Sequence, residues 1–163
     1  MTTIVLDQPH RSAVDRTGRG IEFLLSSAET AGTLAILDCQ IPPGTSGPPL
    51  HVHPGSEETF LVTAGILLIR VGEEVVQVAP GGLVHVSRGT PHTFATTPAA
   101  AAGFLVVHTP GGFEQFHVAA ASAERDSGAA LTPNELAAVA AGFDWRPVGP
   151  PLSPSGSLAG AQA

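Results

Sequence analysis

Four side chains that can bind a metal lie close together in the stretch between residues 44 and 65: His51, His53, Glu57 and Glu58. Side chains two apart on a β-strand share a face, so His51 and His53 are expected to point the same way. The Pro-Gly turn that follows predicts that Glu57 or Glu58 returns beside them on the next strand. A later Gly-Thr-Pro turn delivers His92 to the start of another strand. Three imidazoles and one carboxylate suit Fe, Mn, Ni, Co or Zn and leave coordination positions open, so these residues predict a metal site.

These two stretches resemble the paired motifs of the cupin family. In the first, His51-x-His53 is followed after four residues by Glu58 and after six more by Gly65. The second, GGLVHVSRGTPH, ends at His92. The resemblance covers roughly residues 20–152 and favours Glu58 over its neighbour as the carboxylate ligand.

The second motif departs from the family pattern at two positions, with Ser87 in place of proline and Thr96 in place of asparagine. Neither is a ligand position. The resemblance implies an all-β fold, the cupin double-stranded β-helix or jelly-roll barrel, with one or two short C-terminal α-helices. It also implies one divalent transition metal per chain, held by His51, His53, Glu58 and His92.

The resemblance implies three classes of function, all acting on a small organic molecule. The first is a metal-dependent dioxygenase resembling quercetin 2,3-dioxygenase, with an enol, aromatic or polyketide-like substrate. The second is a non-redox isomerase, cyclase or decarboxylase of secondary-metabolite biosynthesis. The third is a barrel that binds a small ligand without turnover. Fold and metal site recur across unrelated chemistries, so they do not distinguish these classes. A redox-active metal with oxygen uptake would indicate the first class rather than the second.

Three residues are predicted to take part in catalysis. Glu58 can alternate between ligating the metal and accepting a proton, as the resemblance to flavonol dioxygenases implies. His85 and His108 lie within apolar strands, where a histidine is either a hydrogen-bonded core residue or a proton shuttle for the pocket.

Alternation along the strands predicts an apolar pocket wall beside the metal, built by Phe60, Phe94, Leu68 and Val106. Cys39 lies in an apolar run and is predicted to pack as a small hydrophobic residue. Trp145 is expected to pack the C-terminal segment on the barrel. His10 and His117 are expected to be structural or exposed.

Composition limits the protein class. The chain has 163 residues, 43% of them hydrophobic and 13% charged, which favours one globular domain. A net charge of −7 without a basic run argues against nucleic acid, and short apolar runs argue against a membrane span. A single cysteine fits the cytoplasm. The resemblance implies a homodimer, in which the apolar segment 3–6 can exchange between subunits.

Turn residues divide the chain into short strands followed by helices. Residues 1–19 are predicted to form an arm or lead-in strand and residues 20–110 the barrel. Residues 111–152 form a helical extension packed on the barrel, with helices over 112–124 and 133–141. The second helix begins with the capping box Thr132-Pro-Asn-Glu135. Residues 153–163 are predicted to form a flexible tail.

Overall fold

The computed structural model describes residue 4, residues 12–16 and residues 19–156, and its strands form two antiparallel sheets. The strands are β1 (Ser12–Arg16), β2 (Arg19–Leu25), β3 (Ala35–Ile41), β4 (Leu50–Val52), β5 (Glu57–Ala64), β6 (Leu67–Val71), β7 (Glu74–Val78), β8 (Leu83–Val86), β9 (His92–Thr96), β10 (Ala102–Thr109) and β11 (Arg146–Gly149). One sheet has the order β1-β2-β3-β10-β5-β8, and the other has the order β11-β4-β9-β6-β7. The all-β cupin-type fold predicted from the sequence is confirmed.

The core lies between the sheets because the central strands alternate between buried and more exposed positions. In β5 the residues Glu58, Phe60 and Val62 are buried while their neighbours are less so, and β3 repeats this pattern. The inward side chains of β5, β3 and β10 meet those of β6 and β8 in one hydrophobic cluster. The period of two therefore delivers Glu58, at the start of β5, to the same interior as the apolar core.

The turn between β5 and β6 carries the chain from one sheet to the other and requires glycine. Gly65 has a φ of +67°, and a Cβ placed on it would lie 1.9 Å from the carbonyl oxygen of Ala101. A side chain there would clash with backbone in addition to its unfavourable φ. This explains why a glycine stands at the end of the first motif.

Two helices follow the last strand of the larger sheet. Helix α1 (Glu114–Ser127) buries Phe116 and Ala120 and ends at Gly128, whose φ is +70°. Helix α2 (Pro133–Ala140) begins with the predicted capping box, with Thr132 and Glu135 bonded reciprocally. None of the helices in the described ranges is long and apolar enough to cross a membrane.

The elements match the predicted strands and helices closely, and one strand was not predicted. β11 lies at the edge of the five-stranded sheet and pairs with β4. It contains Pro147, and proline is tolerated at a sheet edge because no central ladder bond is lost there. The division into arm, barrel, extension and tail stays a prediction; segment 3–6 (apart from residue 4) and residues 157–163 lie outside the described residues.

A buried carboxylate ties helix α1 to the turn after β2. Glu114 is fully buried, and its Oε1 accepts from the backbone N–H of Ser27 at 3.0 Å and from the Ser27 hydroxyl. Its Oε2 accepts from the N–H of Gly112 at 2.6 Å. Burial alone would raise the pKa of Glu114, but these donors from Ser27 and Gly112 lower it below its usual value.

We expect Glu114→Gln to lower the free energy of unfolding at pH 7 by about 1–3 kcal/mol. The amide NH₂ would face N–H and O–H donors, leaving buried groups unsatisfied. Because the folded pKa of Glu114 is depressed, its stabilisation is present above the unfolded value of about 4.3 and is lost as pH falls through the folded pKa. Urea unfolding at pH 7 and pH 3 measures both effects.

The matched control is Asp126→Asn, which removes a carboxylate from an exposed position of the same helix. We expect a change within about 0.5 kcal/mol at either pH. Equal effects of the two substitutions at pH 7 would contradict the structural role assigned to Glu114.

Candidate metal centre

Strand register brings the four predicted metal ligands together. His51 on β4 lies directly opposite His92 on β9, and both belong to the five-stranded sheet. Glu58 begins the facing strand β5 of the other sheet, and His53 follows the end of β4. One nitrogen or oxygen atom from each of these four buried residues lies within 4.8 Å of the others.

Backbone carbonyls orient all three imidazole rings. Nδ1 of His51 lies 2.8 Å from the carbonyl oxygen of Pro49, and Nδ1 of His92 lies 2.9 Å from that of Thr90. Nδ1 of His53 contacts the carbonyl oxygen of Asp144. A carbonyl oxygen can only accept, so each Nδ1 carries a proton, and a neutral ring then presents the lone pair of its Nε2. This is the tautomer that a metal ligand needs.

Glu58 bridges the histidines through its two carboxylate oxygens. Its Oε2 lies 2.5 Å from Nε2 of His92 and 3.6 Å from Nε2 of His53. Its Oε1 lies 3.2 Å from Nδ1 of His108, its directly opposite residue on β10. One oxygen therefore faces the ligand set, and the other faces a histidine outside that set.

Burial and mutual contact shift the protonation of these groups. Burial, reinforced by His92, lowers the pKa of His51 to about 3. Burial opposes the charged form of Glu58 too, but His108, His53 and His92 together lower its pKa well below the usual range. Burial also lowers the pKa of His108, against the attraction of Glu58. At neutral pH, the cluster thus combines an ionised carboxylate with imidazole rings of which at least two are neutral.

The donor set fits a divalent transition metal. Nε2 of His53 is buried and has no hydrogen-bond partner among the described residues. Nε2 of His92 and Oε2 of Glu58 are 2.5 Å apart, which is hydrogen-bond distance, so a proton lies between these two atoms unless a metal ion binds the cluster and replaces it. Imidazole nitrogens with one carboxylate oxygen suit Zn, Fe, Ni, Co or Mn. The assignment of His51, His53, Glu58 and His92 as ligands stays a prediction.

An apolar cavity begins at this cluster. Three of the four predicted wall residues, Phe60, Phe94 and Val106, line it, and Phe60 lies 6.2 Å from Phe94 between ring centroids. Three further aromatic side chains, Phe113, Phe116 and Trp145, come from the C-terminal elements. The full lining is Ile21, Leu37, Cys39, Ile41, Pro48, His51, Glu58, Phe60, Phe94, Phe104, Val106, His108, Phe113, Phe116, His117, Leu136 and Trp145. None of these described lining residues is a lysine or arginine, so the cavity offers no cation to a phosphate group.

Two predicted site residues lie elsewhere. Leu68 packs against Ala95 and Leu152 on the outer face of β6, because Leu67 and Ile69 take the inward positions. His85 is exposed on β8, 3.0 Å from the Thr59 hydroxyl. Both predictions are corrected.

The two neighbouring glutamates differ as the motif resemblance predicted. Glu58 is in the cluster, whereas Glu57 points outward and lies 3.5 Å from Nε of Arg88. His108, the remaining predicted catalytic residue, is buried beside Glu58.

Sequence reasoning missed three residues that reach the site from the C-terminal elements. Trp145 stacks on His51, with centroids 5.4 Å apart and planes inclined by 28°. His117 on α1 lines the cavity, with Phe113 between it and His53. Asp144 supplies the carbonyl that orients His53. The local signal for Asp144 and Trp145 is the aromatic and acidic character of the FDW sequence after α2, and His117 on α1 has no such signal.

Comparison with known proteins supports the same fold and site region. The Cupin domain family matches residues 37–108, which include all four predicted ligands and His108. The oxidoreductase iacF of Pestalotiopsis fici is 39% identical over 56 residues, or 34% of this chain. This chain spans only 28% of the length of that relative.

Three solved structures are similar over 58–71% of this chain. A sugar phosphate isomerase of the cupin superfamily from Silicibacter pomeroyi is 26% identical with a TM-score of 0.50, over 58% of this chain and 60% of that one. The polyketide cyclase RemF from Streptomyces resistomycificus is 23% identical with a TM-score of 0.56, over 66% and 80%. KdgF from Halomonas is 14% identical with a TM-score of 0.57, over 71% and 99%. The last two show the fold alone.

We expect His51→Ala and His92→Ala each to abolish stoichiometric metal binding while the barrel stays folded. Each change removes one imidazole lone pair that would bind the metal, in a cluster where burial already disfavours charged groups. Elemental analysis after equilibration with Zn²⁺, together with circular dichroism, measures both properties. Full metal occupancy in both variants would refute the four-ligand assignment.

A pair of glutamate variants tests which carboxylate binds the metal. Glu58→Gln is expected to weaken metal binding strongly, because it replaces the only carboxylate in the cluster. Glu57→Gln is the matched control and should leave metal affinity unchanged, since its side chain faces Arg88 at the surface. Competition with a chromophoric chelator gives both dissociation constants, and the reverse order of effects would assign Glu57 as the ligand.

Proposed function

We propose that this chain, whose residues 37–108 match the Cupin domain family, is a metal-dependent dioxygenase acting on a flat, apolar organic substrate with an enol or phenol group. The observation that carries the proposal is the cavity itself. Its walls are apolar and largely aromatic, and its ionisable groups other than His117 and Cys39 are gathered at the cluster. Such a pocket holds an aromatic molecule by contact and orients it through one oxygen.

The absence of cations from the cavity wall argues against a sugar phosphate. Phosphate recognition uses arginine, lysine or helix N-termini, and the described lining contains neither of those side chains. Phe60, Phe94 and Phe104 instead pack at 5.2–6.2 Å around the cavity, the spacing of aromatic pairs. An aromatic substrate can join this arrangement without leaving a polar group unpaired.

His51, His53, Glu58 and His92 would hold the metal, which when bound supplies Lewis acidity toward a substrate oxygen and a path for reaction with dioxygen. Glu58 accepts the proton of the substrate hydroxyl, turning the enol into an enolate. Dioxygen is the oxidant, and both of its atoms enter the oxidised product. Phe113, Phe116 and Trp145 cover the cavity and exclude water from the enolate.

His108 contacts the second oxygen of Glu58, at a distance but not in the alignment of a hydrogen bond. Its Nδ1 lies 3.2 Å from Oε1, and its ring is fully buried between the carboxylate and Phe113. This contact keeps Oε2 directed at the histidines. The match to an oxidoreductase over 56 residues supports redox chemistry.

A second function, non-redox cyclisation or isomerisation, is favoured by one observation. His117 places another imidazole in the cavity, separated from the cluster by Phe113. A cyclase that protonates one part of its substrate while deprotonating another would use two such groups.

The test is dioxygen uptake by protein loaded with Fe²⁺, Mn²⁺, Ni²⁺ or Co²⁺, measured with flavonol and other enol substrates. We expect substrate-dependent oxygen consumption and incorporation of both atoms of ¹⁸O₂ into product. Turnover that depends on His117 and consumes no oxygen would contradict the dioxygenase proposal and support the cyclase proposal.

We expect His108→Ala to reduce turnover by about 10–100-fold while metal stoichiometry is retained, because the variant loses the group that orients Glu58. His85→Ala, the matched control on the outer face of β8, should leave turnover unchanged. Steady-state kinetics with metal analysis of the same samples measures both quantities. Wild-type turnover in folded His108→Ala would refute the role of His108.

A further inference from the structure

A short segment after helix α2 contacts the first metal motif at several points. This segment, which we call the C-terminal clasp, consists of Asp144, Trp145 and Arg146. Arg146 pairs with Val52 in the sheet, so the clasp runs alongside β4 and reaches beyond its end. It comes from outside the region matched by the cupin family, residues 37–108.

His53 needs support that the other ligand histidines do not. His51 and His92 lie within strands and face each other across a sheet, so the ladder fixes their backbones. His53 follows the last residue of β4 and pairs with no strand, although its carbonyl oxygen accepts from the N–H of Gly89 at 2.9 Å. Its ring is held by the carbonyl oxygen of Asp144, which contacts Nδ1 and leaves Nε2 directed toward Glu58.

The Asp144 carboxylate fixes the loop that joins two of the ligands. The N–H of Gly55 donates to both carboxylate oxygens, at 2.9 and 3.0 Å, and the Ser56 hydroxyl donates to Oδ2 at 2.7 Å. Ser56 is buried, and a Cβ on Gly55 would lie 3.4 Å from each carboxylate oxygen. Asp144 therefore contacts His53 through its backbone carbonyl, and its side chain binds the loop that joins His53 to Glu58.

Trp145 adds a contact to another ligand. Its indole stacks on His51 at 5.4 Å and is 4% exposed, packed in a cluster with Phe113 and Phe116. Two successive residues thus contact the two histidines of the motif, one by hydrogen bonding and one by stacking. Orienting partners of this kind tune the affinity of a metal site.

We infer that the C-terminal clasp is part of the metal centre, and that Asp144 is a positioning residue that sets metal affinity through His53 and the 54–56 loop. The inference rests on the proposed metal-dependent function. It extends the site from two motifs in the barrel to a segment about ninety residues beyond the first motif. It also links metal binding to the cavity wall, because Trp145 both lines the cavity and stacks on His51.

The experiment titrates metal-free, full-length protein with Co²⁺ and follows the visible ligand-field absorption. We expect Asp144→Ala to raise the Co²⁺ dissociation constant by about 10–100-fold and to change the position or intensity of the bands. Asp144→Asn keeps an acceptor for Gly55 or Ser56 and should recover part of the affinity. Asp126→Ala, which removes a carboxylate from an exposed helix position, is the matched control and should bind Co²⁺ as wild type does.

The possible outcomes separate this inference from the proposed function. If wild type binds no stoichiometric Co²⁺, the metal-dependent function fails and the inference with it. If wild type binds Co²⁺ and folded Asp144→Ala has the same affinity and spectrum, the clasp is overturned while the metal function stands. If Asp144→Ala does not fold, Ser56→Ala decides: we expect a rise of about 3–10-fold in the dissociation constant, and no change would overturn the inference.

Discussion

A buried carboxylate among four imidazole rings is the interaction on which the rest of the site depends. Glu58 is 5% exposed and lies near His53, His92 and His108. An ionised carboxylate in an apolar interior is costly unless positive charge or hydrogen bonds compensate it. The surrounding imidazoles compensate this charge only in part, and a divalent cation at the Nε2 atoms would do so fully. The cluster is therefore organised for a cation, and the metal proposal follows from its charge balance.

The jelly-roll topology creates this arrangement by pairing distant residues in register. His51 and His92 are opposite each other in one sheet, and Glu58 and His108 are opposite each other in the facing sheet. The apolar side chains between the sheets extend from the cluster as the cavity wall. The same packing that stabilises the barrel thus sets both the ligand geometry and the apolar character of the pocket.

The sequence could predict the ligands and most strands because those signals are local. Paired motifs mark the ligand positions, and alternation in β3 and β5 shows which side is buried. The predictions were wrong where apolar and polar residues do not alternate along a strand. β6 has the sequence LLIRV, so nothing local shows that Leu68 faces outward. β8 is an edge strand in which exposed Leu83 and His85 share the outer face. The apolar sequence of β8 suggested that His85 is buried, but the outer face of this edge strand is exposed.

The contributions of Asp144, Trp145 and His117 could not be predicted because they depend on tertiary contacts. The residues after α2 pack against β4, but neither segment has a sequence pattern that predicts this contact. Pro147 also argues against a strand there. The sequence showed that α1 has an apolar face, but not that this face lines a cavity. The barrel carries the four predicted ligands, and the C-terminal elements complete the cavity wall.

The most direct test of the central claim is anomalous diffraction from crystals of the full-length protein grown with Co²⁺, measured on both sides of the cobalt absorption edge. The account predicts one strong peak per chain, within bonding distance of Nε2 of His51, His53 and His92 and of a Glu58 oxygen. A peak elsewhere, or no ordered cobalt at this cluster, would contradict it.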